Sequence, residues 1–283
     1  MPDRDPINEA VAAAAFSKQS LVFDRYDAGN TIIGYKRQRV REHVLRHLPA
    51  ESRILELNAG TGEDAVFFAR LGHRVHATDI AEGMQARLTE KITGQGLQDK
   101  VTTELCSFTA LEGLRDKGPY DLIFSNFAGL NCTRELGKVL ASFDGLLKPG
   151  GHATLVILPP FSLWETLLVF KGRFRTAFRR WGTRRKGAPA HVEGHHFRCW
   201  YYSPSFVIGE LKDAFELLDL EGLCTIVPPS YIEHFAERHP AAWRWLRTRE
   251  DRWKGKWPWR SIGDYYIISL RKIPALPTDP QTL

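Results

Sequence analysis

One stretch of the chain combines glycine, acidic and strand-forming residues in an order that can bind a nucleoside. Residues 54–79 read ILELNAGTGEDAVFFARLGHRVHATD, which predicts a strand, a glycine-containing turn, a helix and a second strand. Gly60 and Gly62 let the backbone turn tightly, and the helix that starts near Glu63 directs its amide groups into the same space. Asp79 ends the second strand, where a carboxylate can accept hydrogen bonds from ribose hydroxyls. The spacing therefore predicts a nucleoside-binding site.

The loop also indicates which nucleoside it suits. A dinucleotide site typically has the pattern GxGxxG, because a neutral loop has to receive a pyrophosphate. Here the first strand carries Glu56 near its end, and no third glycine follows Gly62 at the expected position. A carboxylate would repel a pyrophosphate but suits a ligand with an ammonium and a sulfonium group. An NAD-dependent oxidoreductase is therefore a disfavoured alternative.

These residues resemble motif I of the class I S-adenosylmethionine-dependent methyltransferases, which usually reads E/D-x-G-x-G-x-G. Residues 76–80 (HATDI) are similar to the second motif of that family. Residues 120–130 (YDLIFSNFAGL) resemble its fourth strand and the loop beside the methyl group, and residues 146–151 (LLKPGG) the turn into its fifth strand. The resemblance covers roughly residues 20–160 and the last two strands. It implies S-adenosyl-L-methionine as cofactor, S-adenosyl-L-homocysteine as product, and methyl transfer as the activity.

The resemblance also implies which residues hold the cofactor. Glu56 would lie near the methionine amino group, and Asp79 would bind the ribose. The remaining implied contacts are Asn58, Ala59, Gly60, Thr61 and Gly62 around the methionine, Ile80 and Met84 on the adenine, Ser107 and Phe108 after the third strand, and Asn126 and Phe127 in the fourth-strand loop. Relatives often fold a lid over the cofactor where this chain has FDRYDAGN, residues 23–30. Tyr26 in that segment is expected either to contact cofactor or substrate, or to pack on the sheet as a surface aromatic.

Three departures from the family pattern affect details of the site. Asn58 replaces the first glycine of motif I, and asparagine tolerates the left-handed conformation better than other side chains. Relatives commonly place an aspartate after the third strand for the adenine amino group, whereas this chain has Cys106-Ser107-Phe108. Ser107 or a backbone carbonyl would then replace that aspartate. The fourth-strand loop reads NFAG rather than NPPY, which disfavours methylation of exocyclic base amines.

Histidines supply the candidate general bases. A hydroxyl acceptor has to lose a proton, and histidine is the usual base near neutral pH. His195 and His196 are the candidates, with solvated loop histidines as the alternative interpretation. Together with His191 and Cys199 they match no common zinc spacing, and the four cysteines form no CxxC pair. We therefore expect neither a metal site nor a disulfide framework.

Alternating strand and helix patterns predict the scaffold that positions these residues. Short β-branched apolar runs alternate with helical spacings, which is typical of a parallel sheet with crossover helices. Ser203-Pro204 predicts the N-cap and first position of a helix, and Gly72 predicts a helix end. The predicted strands are Arg53–Leu57, Arg74–Thr78, Val101–Cys106, Asp121–Ser125, His152–Leu158, Phe215–Cys224 and Tyr265–Arg271. The fold class is α/β, and the resemblance specifies a Rossmann-like, doubly wound, seven-stranded sheet with a reversed last strand, to which helical lid insertions are added.

A basic segment, residues 161–200, does not fit the sheet. It contains nine lysines and arginines against two glutamates, whereas the net charge of the whole chain is only +6. Apolar side chains from Leu163 to Trp181 recur at steps of three and four, which predicts an amphipathic helix opened by Ser162 with Glu165 three residues on. Three functions remain open: a lid with its apolar face on the sheet, contact with an anionic membrane through residues 161–181, and nucleic-acid binding. The near-neutral remainder of the chain disfavours nucleic acid.

A second insertion, residues 227–262, is rich in tryptophan; all eight tryptophans of the chain lie after residue 163. It predicts a roof over a hydrophobic or aromatic acceptor, or alternatively an auxiliary core or dimer contact. The expected organisation is then residues 1–160 as lid helices and cofactor-binding half, 161–200 as basic insertion, 201–273 as the remaining helix and strands, and 274–283 as a flexible tail.

Composition limits the remaining choices. The 283 residues are 43% hydrophobic, and no window approaches the roughly 18 apolar residues of a spanning helix. The charged start, MPDRDPINEA, is unlike a signal peptide, so we expect a cytoplasmic protein, with peripheral membrane contact as an option. The predicted function is methyl transfer to a small or lipophilic metabolite, at oxygen. An RNA methyltransferase and a non-catalytic cofactor-binding protein are the alternatives, and the oligomeric state stays open.

Overall fold

The computed structural model describes residues 6–183 and 186–274 of the chain. Its strands are β1 (Arg53–Leu57), β2 (Arg74–Asp79), β3 (Val101–Leu105), β4 (Tyr120–Ser125), β5 (Leu147–Ile157), β6 (Ala188–Val192), β7 (His195–Cys199), β8 (Phe215–Leu223) and β9 (Tyr265–Lys272). Its α-helices are α1 (Pro6–Ala28), α2 (Thr31–Leu45), α3 (Glu63–Arg70), α4 (Glu82–Gly94), α5 (Leu136–Ala141), α6 (Phe143–Leu146), α7 (Leu163–Leu167), α8 (Phe174–Ala177), α9 (Pro204–Leu211), α10 (Phe235–Arg238) and α11 (Pro240–Trp253). Apart from Pro274, the predicted tail lies outside the described residues.

Seven strands form one mixed sheet in the order β3-β2-β1-β4-β5-β9-β8. The first five strands pair in parallel, and β9 runs antiparallel to both of its neighbours. This is the Rossmann-like, doubly wound sheet with a reversed last strand that the sequence predicted. All seven predicted strands are present; the largest difference is that β5 begins at Leu147 rather than His152.

Both faces of the sheet are covered, which explains why the central strands β1 and β4 are almost continuously buried. In β4, Ile123 belongs to a buried cluster that includes side chains of α5 and α9. Its neighbours Leu122 and Phe124 belong to a second cluster, with side chains of α2, α3 and α4, on the opposite face. Because successive strand residues point to opposite faces, one strand contributes to both cores. The sheet is thereby held rigidly behind the loops at its edge.

Two of the local signals in the sequence are confirmed. The Ser203 hydroxyl accepts a hydrogen bond from the Phe206 amide at 3.2 Å, and Pro204 occupies the first position of α9. Gly72 adopts a left-handed conformation with φ of 95°, just after α3 ends. These short-range features depend on few neighbouring residues, so the sequence alone identified them.

The predicted basic helix is wrong as a continuous element. Residues 163–177 form α7, a 3₁₀ turn at Leu168–Lys171 and then α8, with Gly172 between them at φ of 69°. Ser162 makes no capping hydrogen bond, and Glu165 instead pairs with Arg179 and Arg180. The left-handed glycine turns the chain, so the apolar residues do not align along one helical face.

Three further elements complete the fold. Strands β6 and β7 form a hairpin whose turn contains Glu193 and Gly194, both with positive φ. Helix α1 packs against α4 and β7, and α11 occupies the tryptophan-rich insertion. Within residues 6–183 and 186–274, no helix combines the length and apolar character that crossing a bilayer requires.

Candidate active site

A cavity lies beside the carboxyl ends of β1, β2 and β4, with α1 along one side. In open α/β sheets this edge is where ligands bind, because the strand order reverses there. Eleven of the predicted cofactor contacts line it: Glu56, Asn58, Ala59, Gly60, Thr61, Asp79, Ile80, Met84, Phe108, Asn126 and Phe127. The fold therefore brings together residues that are up to 71 positions apart in the chain.

Three of the predicted cofactor residues do not line this cavity. Gly62 lies behind the loop as the left-handed N-cap residue of α3, where a β-carbon would collide with the Leu88 side chain. The Ser107 hydroxyl caps the turn after β3 and donates to the carboxylate of Glu9. Tyr26 is 65% exposed and lines a different cavity. Gly62 and Ser107 thus support the cavity wall without reaching its interior.

The two base candidates also lie away from this cavity. His195 begins β7 and His196 follows it, and neither is among the residues that line the cavity. The His196 ring instead stacks on the ring of His191, with the centroids 4.4 Å apart. Register explains the arrangement, because His191 and His196 are paired across the hairpin. The sequence analysis proposed these residues as bases, but it did not predict the hairpin that holds them.

Asn58 joins the loop after β1 to the end of β4. It has φ of 47°, the left-handed conformation that the sequence predicted asparagine would accept in place of the family glycine. Its amide nitrogen donates to the Asn126 carbonyl at 2.9 Å, and its amide oxygen accepts from the Ser125 hydroxyl at 2.6 Å. A β-carbon on Gly129 would lie only 2.3 Å from Asn58 Cγ. Gly129 therefore provides the space that the larger side chain needs.

Asp79 at the end of β2 organises the same loop. Its Oδ2 accepts from the Gly60 amide at 2.9 Å, and its Oδ1 accepts from the Ala81 amide at 2.8 Å. Burial raises the pKa of Asp79, although these backbone hydrogen bonds oppose the shift. The carboxylate therefore fixes the loop backbone and also presents an acceptor to the cavity.

Glu56 is one of the deeply buried acids of the cavity. Burial, together with the nearby Asp64 carboxylate, raises the pKa of Glu56 well above its usual value. Its Oε2 atom is buried and has no hydrogen-bond partner within the described part of the chain. Burying a carboxylate oxygen without a hydrogen-bond partner destabilises the folded protein, unless a ligand supplies the missing hydrogen bond. The position thus suits a cationic ligand group.

Asp64 is a site residue that the sequence reasoning missed. Its carboxylate pairs with Arg37 and Arg41 of α2, in both cases at 2.7 Å, and accepts from the Asn126 amide at 2.8 Å. Although burial opposes them, the two guanidinium groups lower the pKa of Asp64. Asp64 therefore stays ionised beside Glu56 and connects α2 to the β4 loop. No local sequence signal marked the pairing, because its arginines lie more than 20 positions away.

Helix α1 supplies a further wall that the sequence did not predict in detail. Glu9, Ala12, Ala13, Phe16 and Phe23 line the cavity from this helix. The Glu9 Oε1 atom accepts hydrogen bonds from Ser107 and, at 3.0 Å, from the Thr109 hydroxyl. The small alanine side chains let α1 lie close to the cavity. The alanine-rich run near the N-terminus is the signal in the sequence that could have indicated this.

A second cavity of about 430 Å³ adjoins the first, because Phe23 and Phe127 line both. Its other lining residues are Gln19, Val22, Tyr26, Ile33, Lys36, His191, Glu193, Ser230 and Tyr265. Lys36 is buried and donates to the Ser230 hydroxyl at 2.9 Å. Its ammonium lies 4.7 Å from the centre of the Tyr265 ring and 3.8 Å from the Asp264 carboxylate. The wall of this cavity is mostly apolar and carries one charge of each sign, the Lys36 ammonium and the Glu193 carboxylate.

The residues of the first cavity fit S-adenosylmethionine. Glu56 offers an unsatisfied carboxylate oxygen for the amino group, and Asp79 offers acceptors for the ribose. The sequence of strand ends, from β1 to β2 to β3, matches the order of the methionine, ribose and adenine portions along the ligand. The chemistry of these donors and acceptors, rather than cavity shape alone, selects this cofactor.

Comparison with known proteins gives the same result. A family described as methyltransferase domain matches residues 54–151. The S-adenosyl-L-methionine-dependent Diels-Alderase iccD of Talaromyces variabilis is 34% identical over 110 residues, covering 38% of this chain and 37% of that protein. The chain spans less than two thirds of each curated relative that it matches.

Solved structures agree in fold. The CcbJ methyltransferase of Streptomyces caelestis has a TM-score of 0.59 at 18% identity, covering 92% of this chain and 98% of that one. The 1,6-didemethyltoxoflavin-N1-methyltransferase of Burkholderia thailandensis, solved with 1,6-didemethyltoxoflavin and S-adenosylhomocysteine, has a TM-score of 0.54 at 16% identity, with coverage of 93% and 88%. Fold, site and matched family together define a class I S-adenosylmethionine-dependent methyltransferase domain. Residues 54–151 match the methyltransferase domain family, and the fold of the chain is that of S-adenosylmethionine-dependent methyltransferases.

Proposed function

We propose that this protein transfers the methyl group of S-adenosylmethionine to the oxygen of a small lipophilic molecule. The observation that carries the proposal is that Phe127 and Phe23 line both cavities, so that a cofactor site and an apolar acceptor site share one wall. The 1,6-didemethyltoxoflavin-N1-methyltransferase, which is similar in fold, was solved with 1,6-didemethyltoxoflavin and S-adenosylhomocysteine bound, and its name specifies a nitrogen rather than an oxygen as the methylated atom. When bound, the cofactor supplies an electrophilic methyl carbon on a sulfonium.

In the proposed cofactor complex, three acids each bind a different part of the ligand. Glu56 binds the methionine ammonium with its unpartnered Oε2, because a charge-assisted hydrogen bond compensates the burial of both groups. Asp79 accepts from the ribose hydroxyls. Glu9 takes the place of the aspartate that relatives carry after the third strand. Its Oε1 is held by Ser107 and Thr109, and its Oε2 is left for the adenine amino group. Phe108 beside it packs on the adenine ring.

The acceptor side depends on the second cavity. Its walls, among them Val22, Ile33 and Phe127, favour an apolar or aromatic body through burial of apolar surface. Lys36 places a buried ammonium against this cavity, and such a charge stabilises an anionic oxygen. The acceptor therefore carries a hydroxyl that binds as its oxyanion. The oxyanion forms the new bond to the methyl carbon while the carbon–sulfur bond breaks and sulfur keeps the electron pair.

The proton of the acceptor has to leave before or during the transfer. His191 is exposed and lines the second cavity, whereas His195 and His196 line neither of the two cavities. We therefore assign proton acceptance to His191 or to the solvent beside it. The rest of the contribution of the protein is positioning, since a displacement with a neutral leaving group needs alignment above all. Positioning can supply about 7–11 kcal/mol of the barrier in the best oriented systems.

The experiment has two readouts. Calorimetry with S-adenosylmethionine, S-adenosylhomocysteine and NAD tests the cofactor, and binding of NAD in preference to the other two would contradict the proposal. Methyl-labelled cofactor is then supplied with a cell extract, and the labelled product is isolated. A label on an oxygen of an apolar product supports the proposal. A label on nitrogen, on a highly polar product or on RNA would overturn its acceptor part.

Once the product has been identified, the variant Lys36→Met tests whether the Lys36 ammonium stabilises the acceptor oxyanion. We expect kcat/KM at neutral pH to fall about 10- to 100-fold, because a charged hydrogen bond contributes about 1.5–3 kcal/mol. The pH profile should also move to higher pH, since the acceptor loses the charge that favours its ionised form. Lys36→Arg should restore part of the rate. Lys18→Met is the matched control, because Lys18 is bound to the Glu193 carbonyl and lines neither of these cavities.

A second candidate function comes from one relative. The Talaromyces protein, which matches 38% of this chain, is named as a Diels-Alderase, an activity that forms carbon–carbon bonds without methyl transfer. The same fold would then use the cofactor as a fixed part of an apolar acceptor cavity. The labelling experiment distinguishes the two, because a cyclase would bind S-adenosylmethionine tightly and leave the label on it. Lys36→Met would then leave the pH profile unchanged.

A further inference from the structure

The segment between α7 and the β6–β7 hairpin carries an unusual set of exposed side chains. Phe170 is 84% exposed, Phe174 59% and Trp181 54%, and Leu167 and Phe178 are also exposed. Large apolar side chains scattered singly on a surface need no explanation, but a cluster of them marks an interaction site. We call these five residues, together with Lys171, Arg173 and Arg175, the aromatic-basic surface.

The apolar side chains of this surface do not pack on the sheet. No residue of the 3₁₀ turn at Leu168–Lys171 is buried, and in α8 only Ala177 is. The lid interpretation required the apolar face to lie against the sheet. Because Gly172 breaks the helix, Phe170 and Phe174 point to solvent instead.

The surface is nevertheless fixed to the body of the protein. Arg180 is 2% exposed, and its guanidinium pairs with Glu165 at 2.7 Å and with Asp264 at 3.0 Å. It also donates to the carbonyls of Pro159 and Asp264. These bonds hold both ends of the segment, so the exposed aromatic residues are carried on an anchored platform.

The charges around this platform identify what it binds. Lys171, Arg173 and Arg175 are exposed, and no carboxylate among the described side chains lies within 4 Å of them. Glu165 is the one acid between residues 161 and 192, and two arginines already neutralise it. Exposed aromatic residues edged by unneutralised cations are typical of segments that insert at the interface of an anionic bilayer.

We propose that the aromatic-basic surface docks the protein on anionic lipid bilayers. A second copy of the chain fits less well, because a twofold contact would place the three cations against their own counterparts. Nucleic acid fits less well too, because phosphate binding uses cations, whereas the aromatic-basic surface consists mainly of Leu167 and four aromatic side chains. A bilayer satisfies both components at once: the headgroups neutralise the cations, and the interface buries the apolar side chains.

Docking on a bilayer would also bring the protein close to lipophilic acceptors. The docking proposal does not depend on the proposed methyl transfer. Arg180 contacts Asp264, whose carboxylate is 3.8 Å from Lys36 in the second cavity. The bilayer would therefore lie near the cavity that takes a lipophilic acceptor. The test below contains neither cofactor nor acceptor, so its failure would leave the proposed methyl transfer untouched.

The test is cosedimentation of the full chain with vesicles. We expect binding to vesicles of equal parts phosphatidylcholine and phosphatidylglycerol, and at least about tenfold weaker binding to phosphatidylcholine alone or in about 1 M salt. Phe170→Ser with Phe174→Ser, and separately Lys171→Glu with Arg173→Glu, should each weaken binding at least about tenfold. Leu217→Ser is the apolar control, since Leu217 is 42% exposed on β8, and Arg87→Glu on α4 is the charge control. Both controls should bind as the wild type does.

Folding is checked independently of docking. None of the substituted residues lines the cofactor cavity, so every variant should bind S-adenosylhomocysteine as the wild type does. If a double variant fails this check, the single variant Phe170→Ser replaces it. The proposal is overturned if the wild type does not bind the mixed vesicles, or if the controls lose binding as the surface variants do. It is also overturned if single-stranded RNA displaces the protein from vesicles, or if the surface variants convert a dimer into a monomer while vesicle binding persists.

Discussion

Thr109 donates a hydrogen bond of 3.0 Å to the carboxylate of Glu9, a residue that precedes it by 100 positions. The bond ties α1 to the turn that follows β3, beside Phe108. Together with the Ser107 hydroxyl it occupies one carboxylate oxygen of Glu9. Glu9 itself lines the cofactor cavity, and these two hydroxyl groups fix its carboxylate there.

Glu9→Gln should change which base the protein prefers. We expect the wild type to bind S-adenosylhomocysteine about 10- to 100-fold more tightly than its inosine analogue, which has a carbonyl in place of the amino group. In the variant the new amide can donate to that carbonyl, so the preference should shrink below about threefold. Isothermal calorimetry measures both affinities.

Glu63→Gln is the control for this experiment. Glu63 also lines the cavity, but it pairs with Lys91 at 2.6 Å. The loss of the Glu63 carboxylate should change the affinities for S-adenosylhomocysteine and for its inosine analogue equally. An unchanged base preference in Glu9→Gln would show that Glu9 does not contact the base.

Glu56 should couple cofactor binding to pH. Its pKa is raised in the free protein, and a bound ammonium would favour the ionised form, so binding should release a proton. Affinity for S-adenosylhomocysteine should therefore rise with pH as the pH approaches the raised pKa of Glu56 in the free protein. Calorimetry below about pH 7, in two buffers of different ionisation enthalpy, measures the proton count while the ligand amino group stays charged. Glu56→Gln should abolish the release and weaken binding about 10- to 100-fold.

The same variant should stabilise the free protein. A carboxyl whose folded pKa lies above its unfolded value makes a protein less stable as the pH rises past the unfolded value, here 4.5. Glu56→Gln removes that loss, so the difference in Tm between variant and wild type should grow with pH. Asp79, which burial also shifts upward, is present in both proteins and cancels. A variant that is less stable than the wild type at neutral pH would contradict this assignment.

Asn58 should tolerate glycine better than alanine. Alanine loses two side-chain hydrogen bonds and is also strained at φ of 47°. We expect Asn58→Ala to lower the free energy of unfolding by about 2–4 kcal/mol. This is the sum of the lost side-chain hydrogen bonds and the strain of alanine in the left-handed conformation. Asn58→Gly keeps the backbone conformation and should cost about 1–2 kcal/mol. Urea denaturation ranks the two, and the reverse order would show that backbone strain does not matter there.

Arg180 should be far more important for stability than a surface arginine. Replacing it by methionine leaves the carboxylates of Glu165 and Asp264 with fewer partners in a buried place, which should cost about 3–5 kcal/mol. Arg87→Met removes only an exposed pair with Glu90 and should cost less than about 1 kcal/mol. Equal losses in the two variants would mean that the Arg180 network contributes no more than a surface pair.

The sequence identified the cofactor half because its signals are short-range. A buried strand is a short run rich in apolar residues and bounded by turn formers, and each of the seven runs could be recognised without knowing its neighbours. The loop from Glu56 to Gly62 and the acid at Asp79 likewise follow one another within a single βαβ unit. Asn58 was recognised as a tolerable departure because left-handed tolerance is a property of the residue itself.

The insertions were predicted less well because their conformation depends on contacts that spacing does not encode. A helical pattern ran through residues 163–181, but Gly172 took a left-handed conformation and α7 ended before it. Arg180 lies in the basic segment, where no local signal distinguishes it from the other arginines. It is the buried centre of an ion-pair network because Glu165 and Asp264, the latter 84 positions later, converge on it. A periodic pattern shows which side chains are apolar, but it does not show whether any surface is there to cover them.

The sequence alone therefore determined the strands of the sheet and the acids at the ends of β1 and β2, since these follow from local periodicity and turn chemistry, whereas the reversed last strand was implied by the family resemblance. The tertiary structure decided which residues complete the site: Glu9 from α1, Asp64 held by α2, and Lys36 against the second cavity. Each of these positions results from packing a helix against a distant loop. The burial and charge that such packing creates are properties of the folded chain, and no single segment contains them.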